Sequence, residues 1–190
     1  MRKLVAFDHV TVDGFASSSQ GMGIEWTHRA YSEELATYGE EHIQADFDMA
    51  VYGRATYLMM SEYWSTQPTK DSSAQERAHA EWVNAVDKAV VSTTLESADW
   101  NNTWLIKGNL AEEFTALKAK PGRTIAVYAS PRLVHSLIDL KLIDEFRLVV
   151  HPLVIGSGTP LFPEKAELDL NLLESKSFAS GAVYLRYQVG

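Results

Sequence analysis

The sequence predicts one three-layer α/β domain over residues 1–190, with a mixed, mostly parallel sheet whose carboxyl-terminal strands run antiparallel. Three observations carry this. Strand-like and helix-like segments alternate through the first two thirds of the chain, the pattern of parallel strands covered by helices. Three strand-like segments then follow one another without helices between them, which requires antiparallel pairing. The 190 residues, 46% apolar and 22% charged, suit one ordinary globular domain with a substantial core.

Residues 4–11 are rich in β-formers and end at Asp13-Gly14, a turn pair. Residues 21–27 read as a loop. From Tyr31 onward Leu35, Tyr38 and His42-Ile43 recur at helical spacing, with Ser32 as N-cap and Glu33, Glu34 at the positive end of the helix dipole. A short buried strand over residues 49–52 leads into a helix over 55–63. The stretch SEYWSTQPTKDSS, residues 61–73, is the most polar in the chain and reads as a loop. A helix over 74–84 follows, then strands over 88–93 and 103–106, then an amphipathic helix carrying Leu110, Phe114 and Leu117. Pro121-Gly122 turns the chain into a strand over 124–129. Ser130-Pro131 offers an N-cap and a proline at the first helical position, opening a helix through Leu140. The antiparallel strands are placed at 145–155, 168–177 and 182–189.

Composition removes several functions. A net charge of −8 argues against non-specific nucleic-acid binding. Without Cys there is no disulfide framework, thiolate nucleophile or Cys-based metal site. None of the six His pairs with another His or acid at a metal-like helical spacing, so no metal site is expected. The amino terminus, MRKLVAFDHVTVDGF, reads as a first strand rather than a signal peptide, and no apolar run approaches the roughly 20 residues of a membrane span. The expectation is a cytoplasmic protein without nucleic-acid or membrane partners.

Three strand-to-helix junctions suggest an anion site. Gly53-Arg54-Ala55-Thr56 follows a strand and opens a helix, where backbone N–H groups and the dipole favour an anion. Arg54 suits a bidentate bond to phosphate, worth roughly 1.5–3 kcal/mol; equally, it caps a neighbouring carbonyl or lies on the surface. Ser92 and Thr93 end a second strand, and their hydroxyls either converge on the same anion or cap the turn. Ala129-Ser130-Pro131 forms the third junction. Ligands of open α/β sheets lie outside the carboxyl ends of parallel strands, so the three ends are expected to line one crevice. Elsewhere, Trp26 stacks a flat ring or closes the core, and Asp13 handles a proton or merely shapes its turn. Gly156, in Gly156-Ser157-Gly158, permits close approach of a ligand or belongs to a simple turn.

These junctions, in this order, resemble the dihydrofolate-reductase-like superfamily. More closely they resemble the branch containing the carboxyl-terminal reductase domain of the riboflavin-biosynthesis protein RibD and its free-standing relatives. The resemblance runs through TVDGFAS, VYGRATY, the VVST strand, VYASPRLVHSLIDLKLIDEFRLVVHPLVIGSGTPLF and SFASGAVYLRYQV. It implies hydride transfer from NADPH to a heterocycle or sugar derivative. Gly53, Arg54 and Thr56 match the turn around the adenosine phosphates. Ser92 and Thr93 match contacts near the ribose 2′-phosphate, and Ser130, Pro131 and Arg132 match the loop under the pyrophosphate. The backbone at His9 and Ala16 would flank the nicotinamide. Three departures stand out: Ala129 replaces a usual glycine at the pyrophosphate, Tyr31 replaces the acid of genuine dihydrofolate reductases, and Met59-Met60-Ser61 replaces the Asp-rich segment of the riboflavin enzymes. Asp13, Tyr57 and Glu145, in that order, are the candidate proton donors, with ordered water as an alternative.

The expected protein is thus an NADPH-dependent reductase of a small molecule and a homodimer. The rivals are a nucleotide-binding or interaction protein that keeps the fold without turnover, and a true dihydrofolate reductase using another acid.

Overall fold

The computed structural model describes residues 1–19 and 23–190. In chain order the elements are β1 (Leu4–Thr11), β2 (Phe15–Ser17), α1 (Glu33–Tyr38), β3 (Phe47–Gly53), α2 (Arg54–Trp64), α3 (Ala74–Ala85), β4 (Asp87–Val91), β5 (Thr103–Ile106), α4 (Leu110–Ala119), β6 (Thr124–Tyr128), α5 (Pro131–Asp139), β7 (Glu145–His151), β8 (Thr159–Pro160), β9 (Leu170–Ser177) and β10 (Val183–Val189). Eight strands form one sheet in the order β5-β4-β3-β6-β1-β7-β10-β9. The first six are parallel, and β10 and β9 run antiparallel.

β1, β3 and β6 read as nearly unbroken apolar runs because both faces are covered. On one face Leu4, Ala6, Val51 and Val127 pack against Phe114 and Leu117 of α4 and Leu133, Val134 and Leu137 of α5. On the other, Val5, Phe7, Ala126 and Val149 meet Leu35 of α1, while Tyr52 and Val90 meet Tyr57 of α2 and Val83 of α3. Each fully buried aliphatic side chain contributes about 1.5–3 kcal/mol.

Ser32 caps α1 as expected, its Oγ accepting from the Leu35 N–H at 3.2 Å. The helix then widens into a π turn over Gly39–Ile43. Other expectations need correction. Residues 61–64 belong to α2, so the polar connection begins only at Ser65. The final strand block breaks: β7 stops at His151, before Pro152, which lacks the N–H a ladder needs. The chain then returns as the two-residue β8, paired with β2 in a small second sheet. Residues 21 and 22 of the expected 21–27 loop lie outside the described residues, and Glu25–Arg29 form a short 3-10 turn. Ser130 is not a side-chain N-cap, because its φ of +67° points the hydroxyl elsewhere.

Candidate functional site

In the sheet order β4-β3-β6, three parallel neighbours bring Ser92, Gly53 and Ser130 to one edge. The Gly53 N–H donates to Ser130 Oγ at 2.9 Å, and that hydroxyl donates to the Tyr128 carbonyl at 3.1 Å. One side chain therefore ties the starts of α2 and α5 together. To do so, Ala129 (φ +50°) and Ser130 (φ +67°) both enter the left-handed region. That costs about 1–2 kcal/mol for each non-glycine residue, strain that characteristically persists at ligand sites.

Arg54 and Arg132 occupy the first and second helical positions of α2 and α5, beside N–H groups that lack intrahelical partners. Both side chains are exposed, and neither guanidinium pairs with a described residue. Pro131 sets the first turn of α5, and Thr56, half-buried, stands in the first turn of α2. Ser92 Oγ accepts from the Thr94 and Leu95 N–H groups at 3.2 and 3.0 Å, which is turn capping, while Thr93 is exposed.

Asp13 and Gly156 meet at the corner beside β2 and β8. The Gly156 N–H donates to Asp13 Oδ2 at 2.8 Å. The Thr11 hydroxyl, then the Gly156 and Ile155 N–H groups, hold the Asp13 carboxyl below its usual range. Asp13 is therefore an ionised clamp, a poor proton donor. Tyr57 is also corrected: it is buried beneath α2, its hydroxyl accepting from the Trp100 N–H at 3.1 Å. Glu145 sits at the amino end of β7, the opposite edge of the sheet, paired with Lys3, Arg147 and Arg186. Burial raises its pKa, but bonds from Arg186 and Arg147 outweigh that and keep it ionised. Neither reaches the crevice. Ala16 is buried in β2. Trp26 is buried too, its indole N–H donating to the Gly23 carbonyl at 2.8 Å and its ring lying edge-on to His151 at 5.3 Å. It forms a wall.

A narrow slot opens on the α1 face of the sheet, near the carboxyl ends of β1 and β6. Phe7, Tyr31 and Tyr128 supply aromatic walls, and His9, Glu40, Gln44 and His79 the polar groups. Gln44 Nε2 donates to the Tyr128 hydroxyl at 2.7 Å. His9 Nδ1 lies 2.7 Å from Nε2 of the fully buried His151. Burial, then the charge of a protonated His151, pushes the His9 pKa to about 3; burial alone pushes His151 to about 4. Both are neutral near pH 7. On the other face of β1, Asp8 is buried with Oδ2 unpartnered, and burial raises its pKa well above the usual value. Tyr128 lines the slot and immediately precedes the Ala129–Ser130 turn, so slot and junction edge adjoin. Among the described residues no cluster of three metal-ligating side chains occurs.

Residues 2–184 match the family described as the RibD C-terminal domain. This chain belongs to that family. The uncharacterised protein YyaP of Bacillus subtilis strain 168 is 30% identical to this RibD-type domain over 187 residues, covering 98% of this chain and 94% of its own. A candidate riboflavin biosynthesis protein from Shewanella sp. PV-4 superposes with a TM-score of 0.78 at 20% identity, over 99% of both chains. Dihydrofolate reductase from Enterococcus faecalis, complexed with NADP(H) and RAB-propyl, gives 0.62 at 12% identity, over 99% of this chain and 96% of its own. The RibD-type domain therefore has the dihydrofolate-reductase-like fold. No helix among the described residues is long and apolar enough to cross a membrane.

The RibD-type slot is lined by side chains that sequence reasoning passed over, His9 as a ring, Gln44, His79 and Tyr128, with His151 buried behind His9. A signal existed in FDHV and VVHP, each a histidine inside a buried run, but only the register of β1 and β7 reveals that they meet.

Proposed function

We propose that this protein is an NADPH-dependent reductase of a small heterocycle or sugar derivative. The observation that carries the reading is the pair of guanidiniums, Arg54 and Arg132, without a partner among the described residues, at helix starts that follow adjacent parallel strands of an otherwise acidic chain. Gly53 adds to the fit. Its φ is ordinary, and a Cβ there would meet Ser130 only at 3.5 Å, so the fold itself tolerates a larger residue. Close approach of a ligand to that backbone is the remaining reason for glycine.

In this reading Gly53, Arg54 and Thr56 hold the adenosine phosphates, with Arg54 on the ribose 2′-phosphate. Ser92 and Thr93 stand beside it, and Ser130, Pro131 and Arg132 lie under the pyrophosphate at the start of α5. The backbone of His9 and Ala16 flanks the nicotinamide, which places the reacting ring beside the slot. The cofactor supplies the hydride, and the protein's task is to hold two flat molecules face to face while excluding water. A homodimer belongs to the reading: β9 is the outer strand of the sheet and exposes Leu172 and Leu173 by 55% and 47%, a surface a second copy would cover.

Titration of the Trp fluorescence with NADPH and NADH tests this. Arg54→Ala should weaken NADPH by about tenfold or more and NADH little, because one charge-assisted phosphate bond is worth about 1.5–3 kcal/mol. Equal losses for both would remove the 2′-phosphate assignment. The rival reading, nucleotide binding without turnover, is favoured by one observation: Asp13, Tyr57 and Glu145 are all engaged elsewhere. NADPH bound but never oxidised across a panel of heterocycles would establish it.

A further inference from the structure

The imidazoles of His9 and His151 are not used by the nucleotide reading. β1 and β7 pair in parallel with His9 opposite Val149 and Thr11 opposite His151, so both rings stand on one sheet face, two residues apart in register. They share a hydrogen bond of 2.7 Å, and the Nδ1 of His151 is buried without a partner.

Two neutral rings own two protons for four nitrogens. If His9 Nδ1 carries the bridging proton, the second sits on His151 Nδ1 as an orphaned buried N–H. If His151 Nε2 donates the bridge instead, His151 Nδ1 keeps only a bare lone pair and His9 Nε2 carries the second proton. Orphaned buried donors are the rarer and costlier arrangement. The second tautomer therefore prevails, and His9, which lines the slot, has its Nε2–H left to face it.

The slot's other walls narrow the choice of occupant. Phe7, Tyr31 and Tyr128 favour a flat ring. None of the described lining residues is Lys or Arg, and Glu40 stands among them. A phosphate or carboxylate inside would lose its water without gaining a countercharge. The wall formed by the π turn, a rare geometry frequent at functional sites, fits a binding role.

We propose that His9 fixes the substrate by donating Nε2–H to a carbonyl oxygen or ring nitrogen of a flat, uncharged heterocycle, with His151 a positioning residue that holds the tautomer. The inference rests on the reductase reading only in calling the slot's occupant the substrate.

The test is a two-bond proton–nitrogen correlation spectrum of the full chain labelled with 15N-histidine, near neutral pH. In the free protein His9 should show a protonated Nε2 and a bare Nδ1. At least one of three neutral lactams, quinazolin-4-one, 2-pyridone or uracil, should move the Nε2–H resonance. Quinazolinone-2-carboxylate should bind about tenfold weaker or worse. His9→Gln, which keeps a donor, should retain lactam binding, whereas His9→Leu should lose it. His151→Gln, which still offers an N–H toward His9 Nδ1, should preserve the tautomer, and His151→Leu should give a mixture. A bare His9 Nε2, no lactam response, or equal binding of the anion would overturn the proposal, even if a variant fails to fold. NADPH binding is read separately by Trp fluorescence on the wild-type chain. Lactam without NADPH binding keeps His9 and removes the reductase reading; the reverse removes His9 alone.

Discussion

Three histidines make acid stability a property of single residues. His9, His151 and His79 have pKa values pushed by burial to about 3, 4 and 4, below the usual 6.5. Between pH 6.5 and about 4 the unfolded chain therefore binds more protons at these sites, so stability is full above the unfolded pKa and falls as pH drops. Asp8 acts in the opposite sense, because its raised pKa leaves the folded state holding the extra proton. Glu40, raised by burial and then by the neighbouring Glu41 charge, acts in the same sense as Asp8. Three imidazoles against two carboxyls decide the sign, each group contributing at most about 1.4 kcal/mol per pH unit. Urea midpoints should fall steadily from pH 7 to pH 5; a flat or rising profile would contradict the buried neutral rings. Ala129 offers a second measurement at this scale. Its φ of +50° is one that glycine adopts without penalty. Ala129→Gly should gain about 1 kcal/mol in urea unfolding, the relief of left-handed strain less the added entropy of the unfolded chain. By the resemblance that expects glycine here, NADPH affinity should rise as well. No gain in either would mean that the turn relaxes when the methyl is present.

The junctions between elements separate binding from folding. Gly53→Ala should leave the urea midpoint nearly unchanged, since its φ of −75° and the 3.5 Å clearance to Ser130 are both ordinary. The same methyl should weaken NADPH if the backbone meets a phosphate, and unchanged affinity would move the nucleotide away from β3. Ser130→Ala is the complementary case. It removes the acceptor of the Gly53 N–H, which ties α2 to α5, and should cost about 1–2 kcal/mol in unfolding. The sequence announced these junctions because strand, small residue and helix follow one another there. It misassigned the Ser130 hydroxyl because Ser-Pro before a helix has the same local appearance whether the serine caps its own helix or a neighbouring strand end. The small β2–β8 sheet was hidden for a related reason: two and three residues give no periodicity to read. Gly158 reveals it only in three dimensions, since a Cβ there would run into the Ser17 carbonyl. Gly158→Ala should accordingly unfold that corner, with β2 and β8 amides losing their exchange protection while the large sheet keeps its own.

Across the whole molecule, the six parallel strands polarise the sheet into two edges with different work. Alternating strands and helices made this architecture legible, and with it the convergence of residues 53, 92 and 130 on the carboxyl edge. The amino edge was not legible, because Glu145 acquires its partners from residues 3, 147 and 186 only when β1, β7 and β10 lie side by side. There Arg147, only 2% exposed, bonds Glu145 at 2.7 Å and reaches Asp46 at 2.7 Å, while Arg186 adds a second bond to Glu145. The Glu145–Arg147 pair at its centre stabilises only while complete, since removing the carboxylate strands the buried guanidinium at a cost of up to about 3–5 kcal/mol. Glu145→Gln keeps the shape and deletes the charge, leaving Asp46 as the remaining buried-side partner of Arg147. The unfolding free energy read from urea titration should drop by an amount in that range, yet NADPH binding below the unfolding transition should not change, because the length of β7 separates Glu145 from the crevice. If the variant instead loses affinity while keeping its stability, the two-edge division of this sheet is wrong and Glu145 returns as a functional acid.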